Sequence, residues 1–596
     1  MGAPSANALS ARLLRTSAAC ALAWLVAAGL GLFADRVEAL IALAPAVVVP
    51  LGYLHTAEPA GPVSAPWRWG AWALTLGAPL GVGALAAGRS EAGLGLSLAW
   101  LAATGCVALA GAHRLARRGV RPVEELAIDV GALLLPVGAV WLVASRAGVA
   151  LLGFREPIVT FTAAHFHFAG FGAATLAGLA GRALPLRRAP GEAGPLGPRW
   201  ARRAACVSLP VVLAGIPLVA VGITVSRALE GPAAVALGLG MLLLALVLGH
   251  LGVRRLSSSG LARRVSGALL LVGAVSLVGS MSLAIAFAVT SSAGRGAATP
   301  WLAYRTMADL HGVANAVGFA VCVSLAFAME APARAHLRLE GTWPPVLARG
   351  RVGPELFDRL GAIDATAEAA SAAGEALGQL DDLASFAHEG FSPERVAPSV
   401  RHFFEHTSAW ELHVVPQWPW WLRGPARLFS WGARRWLGQL ELPVAPMAER
   451  VVTRFARLRP EAEGRTGARA YVRTYASDPR RAVFVASYGT HASAARRCLV
   501  PTFPLPWCTL VGVLRFDDGP TVGGLVVTSY PRADEGPGDE GMFLVTPWGP
   551  LRLPLDETIR VEPIDGSMTT ARAEHEARAL GVRLFRFRYE LVRVEA

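Results

Sequence analysis

Residues 160–181 read TFTAAHFHFAGFGAATLAGLAG. The stretch is long and apolar enough to cross a bilayer, yet it carries His165 and His167. Small residues recur behind them at helix-packing spacing: Ala169, Gly170, Ala173, Ala174, Gly178 and Gly181. Such residues let helix backbones approach closely in lipid. Ionisable groups at membrane depth are costly, so the two histidines mark a candidate site.

The surrounding sequence fits this reading. In 596 residues, 53% are hydrophobic and 17% charged, with a mean hydropathy of +0.44. The averages conceal a split. Long apolar runs fill residues 17–329, whereas 340–596 has the composition of an ordinary water-exposed domain. Applying the roughly 20-residue requirement for a spanning helix gives about ten spans. They lie near 17–33, 39–55, 69–87, 94–112, 126–148, 158–182, 204–225, 233–252, 266–290 and 306–329. The expected fold is an all-α membrane bundle followed by a soluble α+β domain with an antiparallel sheet. The expected divisions are 1–329 for the bundle, 330–350 for a linker, 351–450 for a helical Trp/Arg-rich segment and 451–596 for a β-rich domain.

The net charge of +13 comes entirely from arginine, because the chain has no lysine. That excludes a Walker-type phosphate loop and a lysine Schiff base. Arginine-rich loops alternate with poor ones: Arg114, Arg117, Arg118 and Arg121 form one rich group, and Arg182, Arg187, Arg188, Arg199, Arg202 and Arg203 another. Cytoplasmic loops attract the excess, which places both termini in the cytoplasm. This use of arginine gives no reason to expect nucleic-acid binding. The six cysteines show neither CxxC nor zinc-like spacing.

Depth along the spans groups the polar residues. The sixth and tenth spans both enter from the outer side. At 1.5 Å per residue, His165 and His167 lie roughly 10–14 Å in from residue 158. Asp309, His311 and Asn315 reach comparable depth in TMADLHGVANAVGFAVCVSLAFAM. His311 and Asn315 are four apart and share a helix face, whereas His165 and His167 point about 200° apart on a regular helix. One histidine then faces the site and the other a neighbouring helix. Asn315 and Asn7 are the only asparagines in the chain. The expected ligand or proton site is His165, His167, His311 and Asn315, with Glu156, Arg305 and Asp309 as its vestibule. The bland alternative is that these groups only join helices, at about 0.6 kcal/mol per pair. His55, His113 and His250 fall near inner helix ends, where an interfacial role suffices.

In the second half, HFFEHTSAWELHVVPQWPWWLRGPARLFSWGARRWLGQLELPV mixes tryptophan with arginine. That mixture suits a membrane–water interface or a charge-rimmed core. Trp418, Trp420, Trp421, Trp431 and Trp436 are the candidate lipid contacts. From Gly467 onward the period becomes two. RLFRFRYELVRV, residues 583–594, puts Phe585, Phe587, Tyr589 and Leu591 on one face of a strand. Asp478-Pro479 and Asp518-Gly519 read as hairpin turns. No GxSxG elbow, HExxH pair or phosphate cradle occurs, so the chain leans away from an enzyme and calls for no cofactor.

HFHFAGFGAATLAG and DLHGVANAVGF resemble motifs of the YndJ-like family of bacterial membrane proteins. The resemblance covers the membrane half and, with less specificity, the β-rich extension. It implies a multi-pass protein of loosely transporter-like character, with His165, His167, His311 and Asn315 at the motif positions. Three readings follow. One is a transporter-like or sensing protein that binds a small solute or proton and has a cytoplasmic regulatory or lipid-contacting domain. Another is a redox protein or enzyme with haem or metal on His165, His167 and His311. The third is a structural bundle carrying a lipid-binding module.

Overall fold

The computed structural model describes residues 6–56, 64–184, 198–258, 260–292, 304–329, 348–364, 376–445, 449–465, 467–492, 496–530, 539–547, 549–564 and 567–594. Most of the 330–350 linker lies outside these residues, as do most of the acidic segment 534–540 and the Arg305 side chain. The chain folds as two units, Met1–Leu337 and Arg338–Ala596.

The first unit is helical, as lipid demands of a backbone that must satisfy its own polar groups. Its helices are α1 (Ala6–Gly29), α2 (Arg36–Leu54), α3 (Ala65–Ala86), α4 (Glu91–Arg118) and α5 (Val123–Ala147). Next come α6 (158–183), α7 (Arg199–Val225), α8 (Arg227–Leu256), α9 (Leu261–Ser292) and α10 (304–328). Among the described residues nine helices are long and apolar enough to cross a membrane. The interrupted helix α6 is the remaining span of the sequence reading. Leu22, Leu76, Leu109, Val221 and Val275 point outward and exposed, the arrangement lipid stabilises.

Three helices are not regular. Wide i→i+5 turns occupy Ala44–Val48 in α2, Phe166–Ala173 in α6 and Ala314–Val321 in α10. Pro45 and Pro50 accompany the first, where missing N–H groups disturb the ladder. The three wide segments touch one another. They form a shared junction inside the bundle.

The second unit is built on a 13-stranded antiparallel sheet in the order β10-β9-β6-β5-β4-β3-β2-β1-β13-β12-β11-β8-β7. Strands β1 (Trp410–Gln417), β2 (Glu449–Arg457), β3 (Arg469–Tyr475), β4 (Asp478–Ala492) and β5 (Arg497–Leu505) run through one half. Strands β6 (Cys508–Val513), β7 (Arg515–Asp518), β8 (Leu525–Thr528), β9 (Gly541–Thr546) and β10 (Gly549–Leu553) lie towards the two ends. The strands β11 (Leu555–Pro563), β12 (Thr570–Ala579) and β13 (Val582–Arg593) complete the sheet. Leu499 and Leu514 exchange backbone hydrogen bonds of 2.7 and 2.9 Å, fastening the chain just before β7 to β5. The sheet therefore rolls onto itself as a ten-stranded barrel, with β6, β9 and β10 as an outer flap. Both expected hairpins are present, β3–β4 and β7–β8. Phe585, Phe587 and Leu591 are buried on one face of β13, with Tyr589 half-buried.

Helix α11 (Leu356–Arg359) packs Leu356 and Phe357 on the outside of β3 and β4. Helix α12 (Pro398–Glu405) and the turn Leu383–Phe386 fill the barrel core with Phe386, Phe403 and Phe404, beside Phe516. The described residues of 351–450 thus comprise short helices, strand β1 and the first residues of β2.

Candidate functional site

At the end of the bundle where α6 and α10 begin, His311 and Asn315 sit one turn apart and meet α9. The His311 Nδ1 donates to the Ser280 carbonyl at 3.1 Å, and the Asn315 amide donates to the His311 carbonyl at 2.9 Å. The Ser280 hydroxyl reaches the Asn315 Oδ1 at 3.4 Å. His165 lies within electrostatic reach of His311, while its own Nδ1 hydrogen-bonds the Phe161 carbonyl at 2.7 Å. His311, Asn315 and Ser280 are therefore brought together, with His165 nearby.

His167 goes elsewhere. It is fully buried and stacks on Trp100 of α4 with ring centroids 6.1 Å apart. Trp100 Nε1 donates to His167 Nε2 at 3.0 Å, and His167 Nδ1 donates to the Ala163 carbonyl at 2.8 Å. Both ring nitrogens are thus engaged. Gly138 allows the close approach, because a Cβ there would lie 2.7 Å from His167 Nδ1. Among the described residues, the expected histidine ligands would offer a metal or haem at this end the Nε2 atoms of His165 and His311. Among the described residues, no group of three or more His, Cys, Asp or Glu side chains is arranged to hold a metal ion.

Glu156 anchors a polar network beside the histidines. It accepts from Ser145 Oγ at 2.7 Å and from the Thr160 amide at 3.2 Å, and pairs with Arg89 at 2.8 Å. Burial works against its charge, but these hydrogen bonds and Arg89 hold its carboxyl below the ordinary value. Arg146 and Glu38 continue the network as a buried ion pair. Asp309 is half-buried on α10.

The opposite end holds an ion cluster that the sequence reading assigned to loops. Helix α4 continues without a breaker to Gly119, which carries Arg114 and Arg118 inward on its last turns. Arg114 donates to Glu125 at 2.7 Å and pairs with Asp129 at 3.1 Å. Arg118 bonds the same two acids. Arg182 of α6 pairs with Glu125 and donates to the His55 carbonyl at 2.7 Å. Three guanidiniums thus share two carboxylates among groups nearly closed to water. The signal was present as Arg114/Arg118 and Glu125/Asp129, each four apart on facing helix ends. His55 is enclosed here, not interfacial.

In the second unit, helix α13 (Arg423–Gly432) and its flanks leave Trp420, Leu428, Trp431 and Trp436 exposed at 82%, 68%, 57% and 62%. Arg423, Arg427, Arg434 and Arg435 lie among them. Trp421 is also exposed. Trp418 departs from the group, packing on Phe585 and Phe587 at 5.3 and 5.7 Å between ring centroids.

A family model described as YndJ-like protein matches residues 39–319. That span runs from α2 into the wide turn of α10, through every histidine and every acid of both polar ends except Glu38. Over these residues the chain is similar to YndJ-like proteins. The "Uncharacterized membrane protein YndJ" of Bacillus subtilis (strain 168) is 26% identical over 500 residues, covering 84% of each chain. The likeness is longer than the membrane unit and so extends past the YndJ-like match into the barrel unit. No solved structure matches the chain.

Proposed function

We propose that this YndJ-like membrane protein is transporter-like or sensing, and that a small solute or proton occupies the space between His165 and His311. Asn315 and Ser280 line that space, and Glu156 and Asp309 form its approach. The observation that carries the reading is the mutual contact of three interrupted helices next to these groups. Wide turns concentrate at functional sites, and broken helices in membranes line binding cavities. The arginine alternation supports both termini being cytoplasmic, and the likeness to the Bacillus subtilis membrane protein supports a bacterial inner membrane. Proteoliposomes holding an internal pH dye provide the test. With an imposed proton gradient, the wild type dissipates it faster than empty vesicles and faster than His311→Ala. Equal rates in all three remove the proton reading. A thermal-shift panel of small solutes, lost in Asn315→Ala, tests the solute reading.

A second reading rests on α13. Exposed tryptophan, leucine and phenylalanine among arginines match a helix lying in a lipid headgroup layer. Lipids with brominated acyl chains would quench tryptophan fluorescence of the reconstituted chain. The quenching falls when Trp420, Trp421, Trp431 and Trp436 become serine, and an unchanged value rules out this contact.

A further inference from the structure

The inward face of the barrel carries a set of polar groups that the membrane site does not use. Arg473 on β3 is only 8% exposed. Its guanidinium lies over the rings of Tyr471, Phe484 and Tyr589 at 4.9, 5.2 and 5.8 Å. One arm donates to the Tyr471 hydroxyl, whereas Nε has no hydrogen-bond partner. Among the described residues no carboxylate pairs with it. Arginine cannot shed its charge, and a buried cation without a counter-ion is costly.

Across the interior, Glu557 on β11 and His575 on β12 approach to 3.9 Å. Their side chains keep 18% and 21% exposure. His575 Nε2 is enclosed without a hydrogen bond. Phe585 and Phe587 stack at 4.3 Å, and Trp418 leans on both. The interior therefore offers an aromatic shelf and one unpaired guanidinium. Barrels of this kind hold ligands inside once side chains no longer fill them.

We propose that the barrel binds a monoanionic amphiphile, with its carboxylate on Arg473 and its apolar body along Phe585, Phe587 and Trp418. A single planar fork fits a carboxylate, and the ring-lined wall takes the hydrocarbon. The acid already inside does not compete. Burial pushes Glu557 up to about 7, and burial beside Arg473 brings His575 down to about 4. Near neutrality this pair is at most singly charged, and it remains free to donate or accept one hydrogen bond.

The test uses the full chain in nanodiscs and a long-chain fatty acid bearing a photoreactive diazirine. Label is expected in peptides of β3, β12 and β13. A tenfold excess of oleate should remove most of it, whereas oleyl alcohol of the same chain length should not. Arg473→Met should lower labelling at least tenfold while the chain stays folded. Equal competition by the alcohol overturns the proposal, as does undiminished labelling in Arg473→Met or label confined to the membrane helices. The comparison between acid and alcohol is made on the wild type, so it decides the matter even if the variant fails to fold.

Discussion

Two of the regions that bury arginine in this molecule treat it in opposite ways. Where α4, α5 and α6 meet, Arg114, Arg118 and Arg182 surround Glu125 and Asp129, and charge is met by charge from neighbouring helices. In the barrel, Arg473 meets tyrosine and phenylalanine rings, and its Nε is unpartnered. A cluster whose charges answer one another fastens helices. A cation left with aromatic neighbours is prepared for something that is not part of the chain. Burial alone does not distinguish a clasp from a site, but the partner set does.

The sharpest way to break this contrast is to remove an acid from the clasp. Glu125→Gln leaves Asp129 as the one carboxylate for Arg114 and Arg118 and takes the acid partner from Arg182, and losing one partner of a buried pair costs about 3–5 kcal/mol. Fluorescence-detected size-exclusion after heating should show the variant lost from the folded peak many degrees below wild type. A small shift would mean that water reaches the cluster.

The barrel's acid should show itself through pH. Glu557 has its ordinary value of 4.5 when unfolded and about 7 when folded. The folded state therefore holds the extra proton, and this group's contribution falls as pH rises from 4.5 to 7. His575 goes from 6.5 unfolded to about 4 folded, so its contribution rises with pH over that interval. The two slopes oppose each other in the wild type, giving a nearly flat profile between about pH 4.5 and 6.5. Glu557→Gln removes the falling slope and uncovers a rise of up to about 3 kcal/mol. Hydrogen exchange of β11 and β12 measures it, and a flat profile in the variant would contradict the assignment.

Gly138→Ala tests the stacked pair in the bundle. The new methyl would press on His167, which is fixed by hydrogen bonds at both nitrogens. A loss of about 1–3 kcal/mol is expected from overpacking, read as a lower melting temperature. The smallest effect belongs to Arg473→Met. Stability of the barrel should stay the same or rise, because an unpaired buried charge is replaced by an apolar chain. A large loss would place Arg473 with the clasps.

Much of the architecture is legible in residue order. Ten apolar runs are visible because a spanning helix cannot hide its length, and β13 is visible because alternation of Phe585, Phe587, Tyr589 and Leu591 follows the two-residue repeat. The pairing of His311 with Asn315 is equally local. His167's partner is not, since Trp100 lies 67 residues away and nothing in the intervening chain records their stacking. The wide turns were also invisible. An extra residue per turn leaves composition unchanged, and only the neighbouring helices hold the strained ladder in place.

The sequence by itself determined that this is a membrane protein with a β-rich second part, because hydrocarbon thickness and strand pleat impose periods that every segment must carry. Only the tertiary structure decided which polar groups meet. It settled that His167 is the histidine that turns to Trp100, turned apparent loop arginines into a buried cluster, and closed the sheet at Leu499 and Leu514 around Arg473. Those outcomes depend on packing between distant segments, and contact at a distance leaves no local repeat to read.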